Sequence, residues 1–112
     1  MENHLEKLIP EMRRGVLQMA ILQLLREKSY GYALCKRLGE MGFPTEEGTL
    51  YPILRRFEDQ DLIHSSWNTS GPRPRKYYQT TRSGAQLIQQ MEVEWREITE
   101  SVEKLMQAEK RS

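Results

Sequence analysis

The chain has 112 residues, 38% of them hydrophobic, and a formal net charge of only +1. That length has room for one domain and little else, and the recurring Leu, Ile, Val and Met blocks exclude a disordered composition. Charge is unevenly spread: Leu62 to Met91 contains no Asp or Glu but holds Arg73, Arg75, Lys76 and Arg82, whereas Glu92 to Ser112 carries six Glu against four Lys or Arg, and local field governs partners more than the sum does.

A first helix is expected from about Pro10 to Lys28, with Pro10 in its first turn and Met12, Val16, Met19, Ala20 and Leu24 at helical spacing. Leu17, Ile21, Leu22 and Leu25 widen the apolar arc, as on a helix covered by its own domain and by a partner subunit. Ser29 is the expected N-cap of a second helix, Tyr30 to Met41, with Leu34, Leu38 and Met41 on one face. Gly42 suits its C-terminus and Pro44 prevents continuation. Thr45 is the expected cap of a third helix, whose Leu50, Ile53, Leu54 and Phe57 stand at i, i+3, i+4 and i+7. Two short helices joined by a tight turn and packed on a first make a helix-turn-helix pattern.

After Gln60 the period changes. Leu62–Trp67 and Lys76–Thr80 are rich in β-branched and aromatic residues around Asn68-Thr69-Ser70-Gly71-Pro72, which predicts a two-stranded hairpin. From about Thr81 to Lys110 one long helix carries Ile88, Met91, Trp95, Ile98, Val102 and Leu105 at alternating spacings of three and four. That is a heptad seam, and a lone helix bearing one needs a partner, here a second copy of the chain. The expected fold is mainly α with a small β-hairpin. Residues 1–80 are expected to form the winged helix-turn-helix unit and residues 81–112 a dimerisation helix, together one compact unit.

On the third helix, Gly48, Thr49, Tyr51, Pro52, Arg55 and Arg56 lie opposite the apolar stripe. Arg can take guanine O6 and N7, and Thr or Tyr can reach phosphate or a thymine methyl, so this face suits a DNA groove. An ordinary solvated face fits the same residues, and Glu58 and Asp59 favour it. Pro52 is costly inside a helix, so either the helix starts late or it bends. The hairpin loop, Gly71-Pro72-Arg73-Pro74-Arg75-Lys76, holds cations on a stiff tip that could straddle phosphates; a solvated turn is the plainer alternative.

No catalytic or metal-binding pattern is present: His4 and His64 lack partners at ligand spacing, and no glycine loop cradles phosphate. Cys35 reads as a small buried apolar group, and a single cysteine permits no intrachain disulfide. Val16–Leu25 is too short to span a bilayer. The expectation is a soluble cytoplasmic, nucleoid-associated protein with no membrane association, no cofactor and no metal. Trp95 sits mid-seam, where paired rings could fill the interface or could frame a flat slot for a planar ligand.

Tyr30-Gly31-Tyr32, then Glu47-Gly48-Thr49-Leu50-Tyr51-Pro52-Ile53-Leu54-Arg55-Arg56, Leu62-Ile63 and Arg73-Pro74-Arg75-Lys76-Tyr77-Tyr78 closely resemble the PadR family of bacterial transcriptional regulators. The likeness covers about residues 10 to 110, and the single last helix resembles the short subfamily. It implies a winged helix-turn-helix homodimer on a pseudo-palindromic double-stranded operator. It further implies a repressor released by a phenolic or other planar effector, acting on its own or neighbouring efflux or detoxification genes. The resemblance puts the GTLYP helix in the major groove and the RPRK wing on the backbone or minor groove, and it makes Pro52 a regular occupant of its position. Some short members hold flat drugs between paired tryptophans of the last helix, and Trp95 stands at the matching place. Gln79-Thr80-Thr81 departs from the commoner Arg-Leu-Thr, removing one phosphate contact. A different class of function, a winged-helix protein-interaction or ligand-sequestering module with weak DNA affinity, fits the near-neutral charge and the Glu-rich last helix.

Overall fold

A computed structural model describes residues 2–111. In chain order these form α1 (Glu2–Leu24), β1 (Ser29–Tyr30), α2 (Gly31–Glu40), α3 (Glu47–Asp59), β2 (Ile63–Asn68), β3 (Arg75–Thr80) and α4 (Arg82–Arg111). The mainly helical fold with a small antiparallel sheet is as the sequence patterns imply, but several element ends differ.

Helix α1 begins eight residues before Pro10, so the proline lies inside it rather than in its first turn. Proline removes one backbone donor, that toward the Glu6 carbonyl, in a stretch whose side chains are exposed. Solvent can satisfy that carbonyl. Leu5, Leu8, Ile9 and Met12 carry the apolar spacing across the proline, and all four are exposed on the single chain. The helix ends at Leu24 rather than at Lys28, and a tight turn follows, with Leu25 N donating to Ile21 O at 3.0 Å and Arg26 N to Gln23 O at 3.3 Å.

Ser29 does not cap α2. It is buried in β1 and pairs with Tyr78, while Tyr30 pairs with Tyr77 and takes the N-cap position without a side-chain bond. The sheet is therefore three-stranded, in the order β1-β3-β2, and not a bare hairpin. A two-residue strand carries no alternation that a sequence pattern could reveal. Met41 falls outside α2 and is exposed, contrary to its expected place on the buried face. Gly42 does end the helix, at φ +92°, with Phe43 N donating to Leu38 O at 2.7 Å. This left-handed backbone suits glycine.

Thr45 is likewise not the cap of α3. Its hydroxyl donates to Phe43 O at 2.8 Å within the turn, and Glu46 stands at the N-cap, its carbonyl accepting from Thr49 and Leu50 at 3.0 Å. Starting at Glu47 still leaves Pro52 inside the helix. Asp61, at φ 59°, closes the other end, and Leu62 N donates back to Phe57 O at 2.9 Å. Thr81 opens α4 as its cap: its hydroxyl accepts from Gly84 N at 3.1 Å and donates to Asp61 O at 2.7 Å. Here α4 passes so close to the α3–β2 connection that a Cβ at Gly84 would overlap the Leu62 carbonyl and the Thr80 methyl.

The core gathers Ile21, Leu22 and Leu25 from α1 and its turn, Leu34 and Leu38 from α2, and Leu50, Leu54 and Phe57 from α3. Ile63 and Tyr78 of the sheet and Ile88 of α4 close it. Burying this many large apolar side chains is the main stabilising term, at roughly 1.5–3 kcal/mol each before conformational entropy is subtracted. Ile88 is only 5% exposed, so it belongs to the subunit's own core and is not available to a partner. Met91 is half-buried against the core, and the open stripe runs from Trp95 through Ile98 and Val102 to Leu105.

Candidate nucleic-acid interface

The Leu50/Ile53/Leu54/Phe57 stripe fixes how α3 is rotated, because those four side chains are buried together. The opposite face is thereby turned outward. Gly48, Thr49, Tyr51, Pro52, Arg55 and Arg56 are all exposed. A Cβ at Gly48 would meet nothing within the chain, so no internal packing demands glycine there. Pro52 has no N–H to offer the Gly48 carbonyl, so the helix lacks that one backbone bond on its exposed face.

Two members of this face are tied down. Tyr51 leans on the start of α2, where its hydroxyl occupies the space a Cβ on Gly31 would need. This contact joins the Tyr30-Gly31-Tyr32 and GTLYP segments physically. Burial, then the charge of Glu47, then Cys35 raise the Tyr51 phenol above its ordinary value, so it stays protonated at neutral pH. Arg56 donates from Nη2 to Gln18 Oε1 on α1 at 2.9 Å. Arg55 has no such restraint among the described hydrogen bonds and ion pairs.

The wing is the β2–β3 hairpin, its six-residue strands paired from Ile63↔Thr80 to Asn68↔Arg75. Asn68 Oδ1 accepts from the backbone N and the hydroxyl of Ser70, at 3.0 and 2.6 Å, which shapes the turn. Arg73 and Arg75 are exposed at its tip. The Arg75 guanidinium lies 4.5 Å from the Tyr30 ring centroid, and Tyr30 meets Tyr77 edge-on at 5.4 Å. Lys28, which no sequence pattern singled out, places its ammonium 5.8 Å from the Tyr77 ring. Lys76 is half-buried and sits 3.6 Å from Glu58 Oε1. Tyr78 packs inward while Tyr77 stays nearer the surface, as successive residues of a strand point to opposite faces. Burial first, then Tyr51 and Glu58, push the Tyr78 phenol up, with Arg55 opposing.

A second surface lies apart from this one. Met12, Val16 and Met19 of α1 and Leu87, Met91, Trp95, Ile98 and Val102 of α4 line an apolar groove of ≈ 1170 Å³. Trp95 is 43% exposed and Ile98 51%. Cys35 packs half-buried beside the core, its thiol raised by burial and then by Glu47, which favours the protonated form. Among the described residues no group of side chains could hold a metal ion, and no helix is long and apolar enough to cross a membrane.

The model of the transcriptional regulator PadR-like family matches residues 21–90. That span includes α2, α3, the wing and the first turns of α4. The chain belongs to this family. It is similar to a PadR family transcriptional regulator from Eggerthella lenta, with 43% identity, 94% of each chain covered and a TM-score of 0.86. A PadR-like regulator from Bacillus cereus is 33% identical over 87% of this chain and 97% of its own, with a TM-score of 0.78. The Bacillus subtilis PadR solved with operator DNA is 30% identical over 68% of this chain and 46% of that longer one, with a TM-score of 0.62. The PadR-like protein described here is a transcriptional regulator with a winged-helix fold, and not an enzyme.

Proposed function

We propose that the PadR-like chain acts as a homodimeric repressor that binds a pseudo-palindromic operator through α3 and the wing and is released by a planar aromatic effector. The observation that carries the DNA reading is the shared exposure of two sets of side chains. Gly48, Thr49, Tyr51, Pro52 and Arg55 of α3 are all open to solvent, and so are Arg73 and Arg75 of the wing. The unadorned Gly48 face lets a groove wall approach the backbone closely, Arg55 and Thr49 can address base edges, and the wing guanidiniums can meet phosphate. The operator complex of the Bacillus subtilis relative supports this use of the fold.

The apolar face of α4 from Trp95 to Leu105, with Leu5, Leu8, Ile9 and Met12 of α1, supports a dimer interface, because exposed stripes of this length call for a partner. In such a dimer Trp95 would stand within the apolar groove, where a flat ring could stack on it. Regulation of the protein's own gene or of a neighbouring efflux or detoxification gene, in the cytoplasm and at the nucleoid, follows from the same reading. DNase footprinting across the gene's own promoter tests it. A protected pair of half-sites about one helical turn apart, lost on adding a planar dye, is the expected result. An unprotected promoter together with dye binding by the free protein would favour a sequestering module.

A further inference from the structure

Glu58 stands half-buried near the C-terminal end of α3 and reaches both wing strands. Its Oε2 accepts a hydrogen bond from the Ser65 hydroxyl of β2, and its Oε1 lies 3.6 Å from Lys76 Nζ of β3. The register explains how one carboxylate does both: Ser65 pairs with Tyr78 and Trp67 with Lys76, so Ser65 and Lys76 lie on the same sheet face. Lys76 Nζ also lies 5.6 Å from the Tyr78 ring centroid. The side chains of Lys76 and Glu58 are 37% and 34% exposed. This pair is more shielded than a surface ion pair, which contributes little. Arg73 and Arg75, by contrast, are exposed and have no carboxylate partner among the described residues.

We infer that Glu58 is a positioning residue that withholds Lys76 from phosphate and so limits sequence-independent DNA affinity. This rests on the reading of α3 and the wing as the DNA interface. To reach phosphate, Lys76 must leave Glu58, which then presents an unpaired carboxylate to the DNA polyanion. The wing's apparent charge exceeds the charge it offers.

The test is fluorescence anisotropy of the full-length protein on a random-sequence duplex over a range of potassium chloride, with a thermal melt of each variant. Glu58→Gln keeps an acceptor for Ser65 but frees the lysine. It should steepen the log K against log salt slope by about 2 per dimer, one lysine per subunit at ~0.9 each, so that the gain in affinity grows roughly sixtyfold between 1 M and 0.1 M salt. Lys76→Ala should leave the slope almost unchanged in the otherwise unaltered protein, yet cancel the gain in the Glu58→Gln background. Ser65→Ala, which loosens the wing but keeps the carboxylate, should retain the original slope. A flattening by about 2 in Lys76→Ala alone overturns the inference, and this variant decides the matter should Glu58→Gln melt early. Weaker binding by Glu58→Gln, or an equal steepening by Ser65→Ala, would overturn it too. Arg75→Ala serves the underlying interface reading separately: if it changes neither affinity nor slope, the wing is not the DNA surface.

Discussion

Replacing Ile98 by Asp should convert the protein to a monomer. In the isolated chain Ile98 is 51% exposed, Trp95 and Val102 43% and Leu105 67%, and Leu5, Leu8, Ile9 and Met12 of α1 are open as well. Fully burying one such side chain contributes roughly 1.5–3 kcal/mol, so covering the exposed half of each adds about 1 kcal/mol. Eight residues on each of two subunits give a gross gain of about 16 kcal/mol, against an association cost of roughly 4–15 kcal/mol. The margin is enough for a dimer, but not a large one. Ile98→Asp removes about 1 kcal/mol per subunit and buries an unpaired carboxylate, which costs at least about 2 kcal/mol more. The two copies together lose about 6 kcal/mol, or roughly four decades in the dimer dissociation constant. Sedimentation equilibrium at micromolar concentration should then show monomer, with operator affinity lost in parallel. An unchanged dimer would show that the α4 stripe is not the interface, and Leu8→Asp would next test α1.

Operator binding should be steeply salt-dependent, with a slope near −5 if a dimer neutralises about six phosphates. Thr49→Ala or Arg55→Ala should narrow the gap between operator and random DNA, whereas Arg75→Ala should weaken both alike; equal losses for all three, measured by anisotropy, would mean the base-reading face is misassigned. Titrating a planar dye should quench Trp95 fluorescence and release operator, and Trp95→Ala should abolish both, with the exposed Trp67 as an insensitive control. An undiminished dye response in Trp95→Ala would leave that ring a packing residue only. Gly84→Ala should destabilise by about 1–3 kcal/mol in urea titrations, because its methyl meets the Leu62 carbonyl and the Thr80 methyl; an unchanged midpoint would mean that α4 can step away freely. Because the Tyr78 phenol is raised in the folded state, its contribution to stability is intact below the unfolded value of about 10 and declines as pH rises beyond it. Urea midpoints measured up to pH 11 should therefore fall less for Tyr78→Phe, and parallel falls would remove Tyr78 as the cause.

The fold was legible wherever a long periodic stripe had a tertiary surface to meet. Leu50, Ile53, Leu54 and Phe57 fall on one buried face as their spacing implies, and Gly42 takes a positive φ where a helix terminator was expected. Misplaced ends share a cause: each depended on a local cue that a tertiary contact overrode. Ser29 is a good N-cap by type, but its backbone is engaged by Tyr78 of β3. Thr45 is another, but its hydroxyl bonds within the turn. Pro10 looked like a helix start because local chemistry favours it there. The apolar spacing from Leu5 to Met12 crosses it instead, and one lost hydrogen bond on an exposed surface is a small penalty. Ile88 fits the heptad arithmetic as well as Ile98 does, and spacing cannot tell which end of a helix its own core has already covered.

The candidate site taught a different lesson, because residue type identifies a cation but not its availability. Arg55, Arg56, Arg73, Arg75 and Lys76 are equivalent as charges on a sequence. In the fold, Arg56 is bonded to Gln18, Lys76 faces Glu58, Arg75 rests on Tyr30, and Arg55 and Arg73 stand free of such partners among the described contacts. Each held cation has lost some rotamer freedom before any ligand arrives, which favours binding when the held geometry is the productive one. When the partner is a carboxylate, the same holding works in reverse, since the ion pair must break first. Gln18 and Tyr30 are neutral and leave the full charge on Arg56 and Arg75, but Glu58 cancels that of Lys76. The wing cations without a carboxylate partner among the described contacts are therefore Arg73 and Arg75 at its tip, while Lys76, one residue further along β3, is paired.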